Sequence, residues 1–230
     1  MPSESKVELN LPGADYWEAD DLTEAVDHGI LVSNLAVLLS RKLGETDEFC
    51  YMMAQAGLVH DVGKLKLGRY LYGRARDSLV VEEMKYVRMH PTIGYDILRN
   101  YGYSDMLLES VYHHHENYDG SGYPDNLKED SIPYGARILR ICDVFAALVS
   151  ERRYRSAFDL DTAMELMIEE VKNFDMQIYL VFLRVVNSEQ FTPIQKFIDE
   201  TNRKNYSWRD LNSKGLLGEM NSVKEAFSGT

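Results

Sequence analysis

Six histidines stand in this sequence, and the company they keep says more than their number. His60 is followed at once by Asp61, and Lys64 lies four residues beyond His60. On an α-helix positions 60, 61 and 64 share one face, so the spacing predicts an imidazole, a carboxylate and an ammonium converging on one small volume. An aspartate beside a histidine is a pairing that a hard or borderline divalent cation favours. Lys64, a compact point charge, can meet a phosphoryl oxygen as it gains negative charge. Read alone, His60-Asp61 is also what two chance neighbours look like. His114 and His115 add a second signal. Adjacent helical residues point about 100° apart, so this pair can address two neighbouring metal ions or two sides of one. The segment after them, Asp119-Gly120-Ser121-Gly122-Tyr123-Pro124, has glycines that let backbone approach a ligand and a proline that stiffens its far end.

Helices must position these residues. From Asp20 to Leu43 apolar residues recur at helical spacing (Leu22, Val26, Ile30, Leu31, Leu35, Leu38, Leu39), and Gly44 is a natural stop. A second helix is predicted from about Asp47 to Val62. Ser78 is placed to cap a helix ending near Met89, and Pro91 opens another that finishes around Asn100 and Gly102. Ser104 caps the next, which runs toward Glu116, and Asn117 to Asn126 is a loop. Pro133 to Val149 reads as a long apolar helix. Asp143 sits in it between Cys142 and Val144, where a purely structural role would leave a carboxylate uncompensated in the core, so burial costs favour a ligand. Further helices follow Asp159, Asp175 and Thr192-Pro193. No stretch alternates convincingly enough for a strand, and there is no internal repeat. The expected fold class is all-α: an arm over 1–19, one helical-bundle domain over 20–187, and extra C-terminal helices over 188–230 that are candidates for pairing two subunits as a homodimer.

Bulk properties narrow the function classes. The chain has 230 residues, 45% of them hydrophobic, which fits one soluble domain. A net charge of −12 argues against binding polymeric nucleic acid, which needs a basic face to displace counterions. It leaves room for a small anionic ligand, because bound metal ions invert the local field. Cys50 and Cys142 offer neither a disulfide framework nor a thiolate metal site and read as reduced core residues. The longest apolar run, Gly29 to Leu39, contains Ser33 and Asn34 and is shorter than a bilayer span. The N-terminal stretch, with Glu4, Glu8 and Asp15, lacks the pattern of a secretory signal. The expectation is a cytoplasmic protein with no membrane partner.

The strings His60-Asp61-Val62-Gly63-Lys64, His90-Pro91-Thr92-Ile93-Gly94 and His114-His115-Glu116-Asn117-Tyr118-Asp119-Gly120-Ser121-Gly122-Tyr123-Pro124 resemble motifs of the HD-GYP family. The resemblance continues through Ile132-Pro133, Arg137 to Phe145, the Arg152-to-Arg155 segment and Phe174-Asp175, covering Asp20 to Asn187. It implies an HD-type bundle holding two or three iron or manganese ions and hydrolysing cyclic di-GMP to linear pGpG, with pGpG or, after a second cut, GMP left open as the end product. The ligands it implies are His28, His60, Asp61, His90, His114, His115 and Asp143, with Asp61 as the bridging carboxylate. Glu24, one turn before His28, matches a subset of the family in which a glutamate binds a third ion; an ordinary i,i+4 surface pair is the other reading. Asp61 and Lys64 are the implied catalytic pair, with Lys64 steadying the phosphate. Tyr123 would contact substrate or shape the pocket mouth, or simply pack the loop. Arg152 and Arg155 match basic positions that hold the second phosphate, and a solvated basic patch at a helix end is the alternative. Imidazoles with a few carboxylates suit Fe, Mn or Zn, while the lack of ligating cysteines disfavours a structural zinc.

The pattern departs from the family in three places. Ala146 stands where the family usually has an aspartate that can contact a guanine, Arg153 stands where it has proline, and Leu65 to Asp77 is arginine- and tyrosine-rich. A related substrate such as cyclic GMP–AMP therefore stays open. So do a more general HD-type phosphohydrolase, which needs only His28, His60, Asp61 and Asp143, and a catalytically weak cyclic dinucleotide-binding module. Intact Asp61 and Lys64 argue against the last.

Overall fold

A computed structural model describes residues 19–67, 85–152 and 155–204. Its helices are α1 (Ala19–Leu43), α2 (Asp47–Val59), α3 (His90–Asn100), α4 (Asp105–Tyr112), α5 (Tyr134–Val149), α6 (Leu160–Glu169), α7 (Met176–Val186) and α8 (192–204). A 3-10 helix, Val62–Leu67, follows α2, and residues 85–87 form a helical turn just before α3. Among the described residues there is no strand, only an isolated bridge between Arg152 and Arg155. The all-α expectation holds.

Local chemistry explains where the elements begin. Thr46, Ser104, Asp159 and Asp175 sit at helix N-termini in extended backbone, and each side chain accepts from an amide of the first turn. Two helix ends differ from expectation. The helix predicted to run to Val62 stops at Val59, and the one predicted to reach Glu116 stops at Tyr112. His60, Asp61, His114 and His115 therefore stand in turns, not on helix faces. The first part of the helix expected from Ser78 to near Met89, most of the Leu65 to Asp77 stretch, Arg153, the arm up to residue 18 and the chain after 204 lie outside the described residues; residues 85–87 of that helix are helical.

Helix α5 runs through the middle. Ala136, Ile138, Leu139, Ile141, Cys142, Phe145 and Ala146 are fully buried, and α1, α2, α4, α6 and α7 all pack on it. Leu22 to Leu43 is long and apolar enough by length and composition to cross a bilayer, more than the interrupted apolar run suggested. Its apolar stripe, Leu31, Val32, Leu35, Ala36 and Leu39, is spent inside the bundle core. Helix α8, the described part of the extra C-terminal helices, joins the same core through Ile194 and Ile198, with Phe191 just before it.

Candidate metal centre

Four of the seven implied ligands gather at one point and three at a neighbouring one. Asp61, His90, His114 and His115 present ligand atoms within 4.8 Å of one another, as do His28, His60 and Asp143. Asp61 stands between the groups. Its Oδ1 lies 3.2 Å from His90 Nε2 and 3.9 Å from His114 Nε2, while its Oδ2 lies 3.5 Å from His60 Nε2 and 3.9 Å from His28 Nε2. The second carboxylate, Asp143, reaches His28 Nε2 at 3.0 Å and His60 Nε2 at 3.5 Å through Oδ1.

Helix ends set the tautomers. His60 stands just past α2, His114 just past α4, and His90 just past the turn 85–87. Each directs Nδ1 at the carbonyl three residues back: Gly57 at 2.8 Å, Val111 at 2.6 Å and Val87 at 2.7 Å. A carbonyl only accepts, so each Nδ1 carries the proton and each Nε2 is a bare lone pair. The last carbonyls of a helix lack intrahelical partners, which makes a helix end a ready orienter for an imidazole. The early stops of α2 and α4 thus serve the site.

Two of those lone pairs point at one another: His90 Nε2 lies 3.3 Å from His114 Nε2. His115 Nε2 lies 3.1 Å from His90 Nε2, and the buried His60 Nε2 and Asp61 Oδ1 have no hydrogen-bond partner. Facing lone pairs without a proton between them repel, and a cation between them reverses the sign. Ligand bonds near 2.1 Å to a four- to six-coordinate ion put neighbouring donors about 3.0 to 3.5 Å apart, the spacing found here. The residues therefore fit divalent ions, with Asp61 able to face one in each group.

Protonation agrees. Burial pushes the His114 imidazole down to about 3, with His60 and His90 adding to the effect. Burial, then His114, holds His115 well below the usual range. His28 is also lowered, burial outweighing Asp143. Burial would lower His60 as well, but Asp61 and Asp143 outweigh it and the group is raised. Burial alone would raise both carboxylates. Lys64 and the imidazoles around Asp61, and His28 and His60 around Asp143, hold both well below the carboxylate range. His28, His114 and His115 are thus drawn toward neutral imidazole, and Asp61 and Asp143 toward ionised carboxylate, the ligand forms, while His60, held up by its two carboxylates, would release its proton when a cation binds.

A family model for the HD domain matches residues 9–178. The chain belongs to the HD domain family. Divalent metal binding is a property of HD domains, and the two groups of side chains here could hold such ions. Among curated relatives, the chain is 36% identical over 137 residues to the cyclic di-GMP phosphodiesterase response regulator RpfG of Xanthomonas campestris pv. campestris, covering 58% of this chain and 35% of that protein. It is 34% identical over 167 residues to 3'3'-cGAMP-specific phosphodiesterase 1 of Vibrio cholerae, covering 71% of this chain and 38% of that one. The chain thus spans little more than a third of these relatives' length. Among solved structures, Bd1817, an HDG"Y"P protein from Bdellovibrio bacteriovorus, superposes with a TM-score of 0.58 at 22% identity, covering 75% of this chain and 55% of that one. That likeness bears on the fold.

The other residues singled out in the sequence of this HD domain fall around the ligand groups. Lys64 forms a close ion pair with Asp61 Oδ2. Tyr123 stacks on the His115 ring at 4.8 Å and 23°, and the Arg88 guanidinium lies 5.2 Å from the Tyr123 ring centre. Its loop is pinned: Glu116 Oε1 accepts the Asp125 amide at 2.7 Å, and a Cβ on Gly122 would sit 2.2 Å from the Asn117 nitrogen, so only glycine fits. His113, outside the motif, lies 3.1 Å from Asp125 and ties the same loop. Glu24 belongs to neither ligand group and lines a cavity of about 470 Å³ together with His28, Asp61, Lys64 and Arg152. Arg155 turns to the bundle instead, donating to the Leu148 and Ala147 carbonyls at 3.3 and 2.6 Å with its guanidinium over Phe158. Ala146 is fully buried among apolar side chains and does not line that cavity. Sequence reasoning passed over Arg88 and Glu116. Glu116 lay inside the quoted motif, and its near-complete burial (1% exposed) is what marks it.

Proposed function

We propose that this chain is a metal-dependent phosphodiesterase that hydrolyses cyclic di-GMP to linear pGpG. The observation that carries the reading is Asp61, one carboxylate set between two imidazole-rich ligand groups. Two divalent ions held there would act as Lewis acids on a phosphoryl oxygen and lower the pKa of water enough to supply a nucleophile at neutral pH. Iron or manganese suits the donors best, since imidazoles and carboxylates surround the site and no thiolate enters it.

The protein's own groups then have distinct tasks. Asp61 and Asp143 hold the imidazoles and balance the cationic charge. Lys64, beside Asp61 and lining the cavity, is placed to steady charge that builds on the phosphate. Arg152 lines the same cavity and is suited to the second phosphate of a cyclic dinucleotide, whereas the Arg155 guanidinium is already engaged on α5. Tyr123, stacked on His115, keeps that ring in place and closes the side of the site. Glu24, a turn from His28 and beside the cavity, is the candidate for a third ion. The buried, unpaired Cys50 and Cys142 fit a reducing, cytoplasmic setting.

The relative that acts on 3'3'-cGAMP keeps a second substrate in view. Since Ala146 lies in the core, the aspartate missing there is not missing from the cavity wall, which weakens the case for a binding-only module. The test is anaerobic purification with metal quantification, then incubation with cyclic di-GMP and with cyclic GMP–AMP and separation of products. Bound Fe or Mn with pGpG formed is the expected result. Bound metal and tight nucleotide binding without any product would overturn the assignment as an enzyme.

A further inference from the structure

Helix α8 lies beyond the residues matched by the HD domain model, yet it forms a wall of the cavity at the metal ligands. Phe197, Ile198, Thr201 and Asn202 line that cavity together with His28, Asp61, Lys64 and Arg152. Buried Ile194 and Ile198 set the helix on the bundle core. Asn202 then makes two hydrogen bonds to a segment some fifty residues earlier. Its Nδ2 donates to the Val149 carbonyl at 2.8 Å, and its Oδ1 accepts the Glu151 amide at 2.9 Å.

The first bond satisfies a carbonyl left open at the end of α5. The second fixes the Ser150–Glu151 peptide, one residue ahead of Arg152. A carboxamide offers a donor and an acceptor side by side, so one asparagine can clasp a chain that is turning out of a helix. Described residues of the turn are also tied within the segment. Glu151 Oε2 accepts the Ala157 amide at 2.7 Å, and the backbones of Arg152 and Arg155 exchange bonds of 2.9 and 3.1 Å. Asn202 is the clasp that reaches this turn from another helix, and it is a half-buried polar group on the cavity wall.

We propose that Asn202 is a positioning residue for substrate binding: by clasping Val149 and Glu151 it holds the turn in which Arg152 lines the cavity and meets a phosphate of the nucleotide. This rests on the phosphodiesterase reading given above. It makes α8 part of the substrate site. Because no metal ligand lies on α8 or on the turn, the effect falls on affinity, not on the chemical step.

The experiment compares the full chain, loaded with Mn²⁺, as wild type, Asn202→Ala, Asn202→Asp, Arg152→Ala and the Asn202→Ala/Arg152→Ala double variant, hydrolysing cyclic di-GMP. Asn202→Ala and Arg152→Ala should each raise KM about three- to tenfold with kcat within about twofold and metal content unchanged. Asn202→Asp, which keeps the acceptor toward Glu151 but loses the donor toward Val149, should fall between, and it is read in place of Asn202→Ala if that variant does not fold. The double variant should be no worse than Arg152→Ala alone, because both act through one contact. An unchanged KM in either single variant, a fall in kcat with metal loss, or multiplying effects in the double variant would overturn the proposal. If the loaded wild type does not hydrolyse, the phosphodiesterase reading fails, and the clasp is judged by equilibrium binding of the same nucleotide. Matching several-fold losses of affinity in both single variants keep it, and equal or absent binding across the series overturns it.

Discussion

Asp61 carries more of this site than any other side chain, because each of its oxygens faces a different ligand group. Replacing it with alanine should leave the helices in place while removing the common carboxylate. We expect Asp61→Ala to lower turnover by at least about a thousandfold, with the far-ultraviolet circular dichroism unchanged. Full activity in that variant would mean the shared carboxylate is elsewhere. Gly63 tests a steric claim at the same scale. A Cβ there would lie 2.0 Å from the His90 carbonyl oxygen and 2.7 Å from the Gly94 nitrogen, both backbone atoms that cannot swing aside. Gly63→Ala should therefore push the start of α3, and His90 with it, away from Asp61. The expected cost is about 2–4 kcal/mol in chemical denaturation, together with weakened metal binding. A variant as stable and as metal-loaded as the wild type would contradict the close approach.

At the scale of elements, the helix starts were legible and the functional helix ends were not. Ser104, Asp159 and Asp175 announced α4, α6 and α7 because a capping side chain acts on amides two or three residues away, a local signal. The ends of α2 and α4 depend on imidazoles claiming the Gly57 and Val111 carbonyls while their other nitrogens are held at a cluster built from distant segments. No local pattern encodes that. The clasp by Asn202 was invisible for the same reason: one asparagine on an amphipathic helix looks like any solvent-facing residue until the tertiary structure sets it against α5. Asp175 is the sharper test of an element. It caps α7 through Gln177 and also pairs with Arg137 at 2.8 Å, though it is only 7% exposed. Asp175→Ala should cost about 2–3 kcal/mol, more than an exposed cap, seen as a lower urea midpoint without loss of bound metal. A cost below about half a kcal/mol would show that the buried pair adds nothing to the cap.

For the whole molecule, the expected ligand residues came from the resemblance of three motifs to the HD-GYP family, while their grouping into four and three was not legible in the sequence, since it is set by how α1, α2, α3, α4 and α5 cross. That arrangement buries lone pairs against one another, so the metal-free fold carries a local repulsion that divalent ions relieve. Chelation should accordingly lower the melting temperature, and restoring Mn²⁺ at about a hundred times its dissociation constant should return about 2.7 kcal/mol. Identical melting with and without metal would contradict this coupling. The most direct test of the account is elemental analysis of the protein loaded anaerobically with Mn²⁺ or Fe²⁺ and then desalted. The two ligand groups predict at least two ions per chain in the wild type and fewer in Asp61→Ala. A wild-type chain that emerges without metal under every loading condition would contradict it.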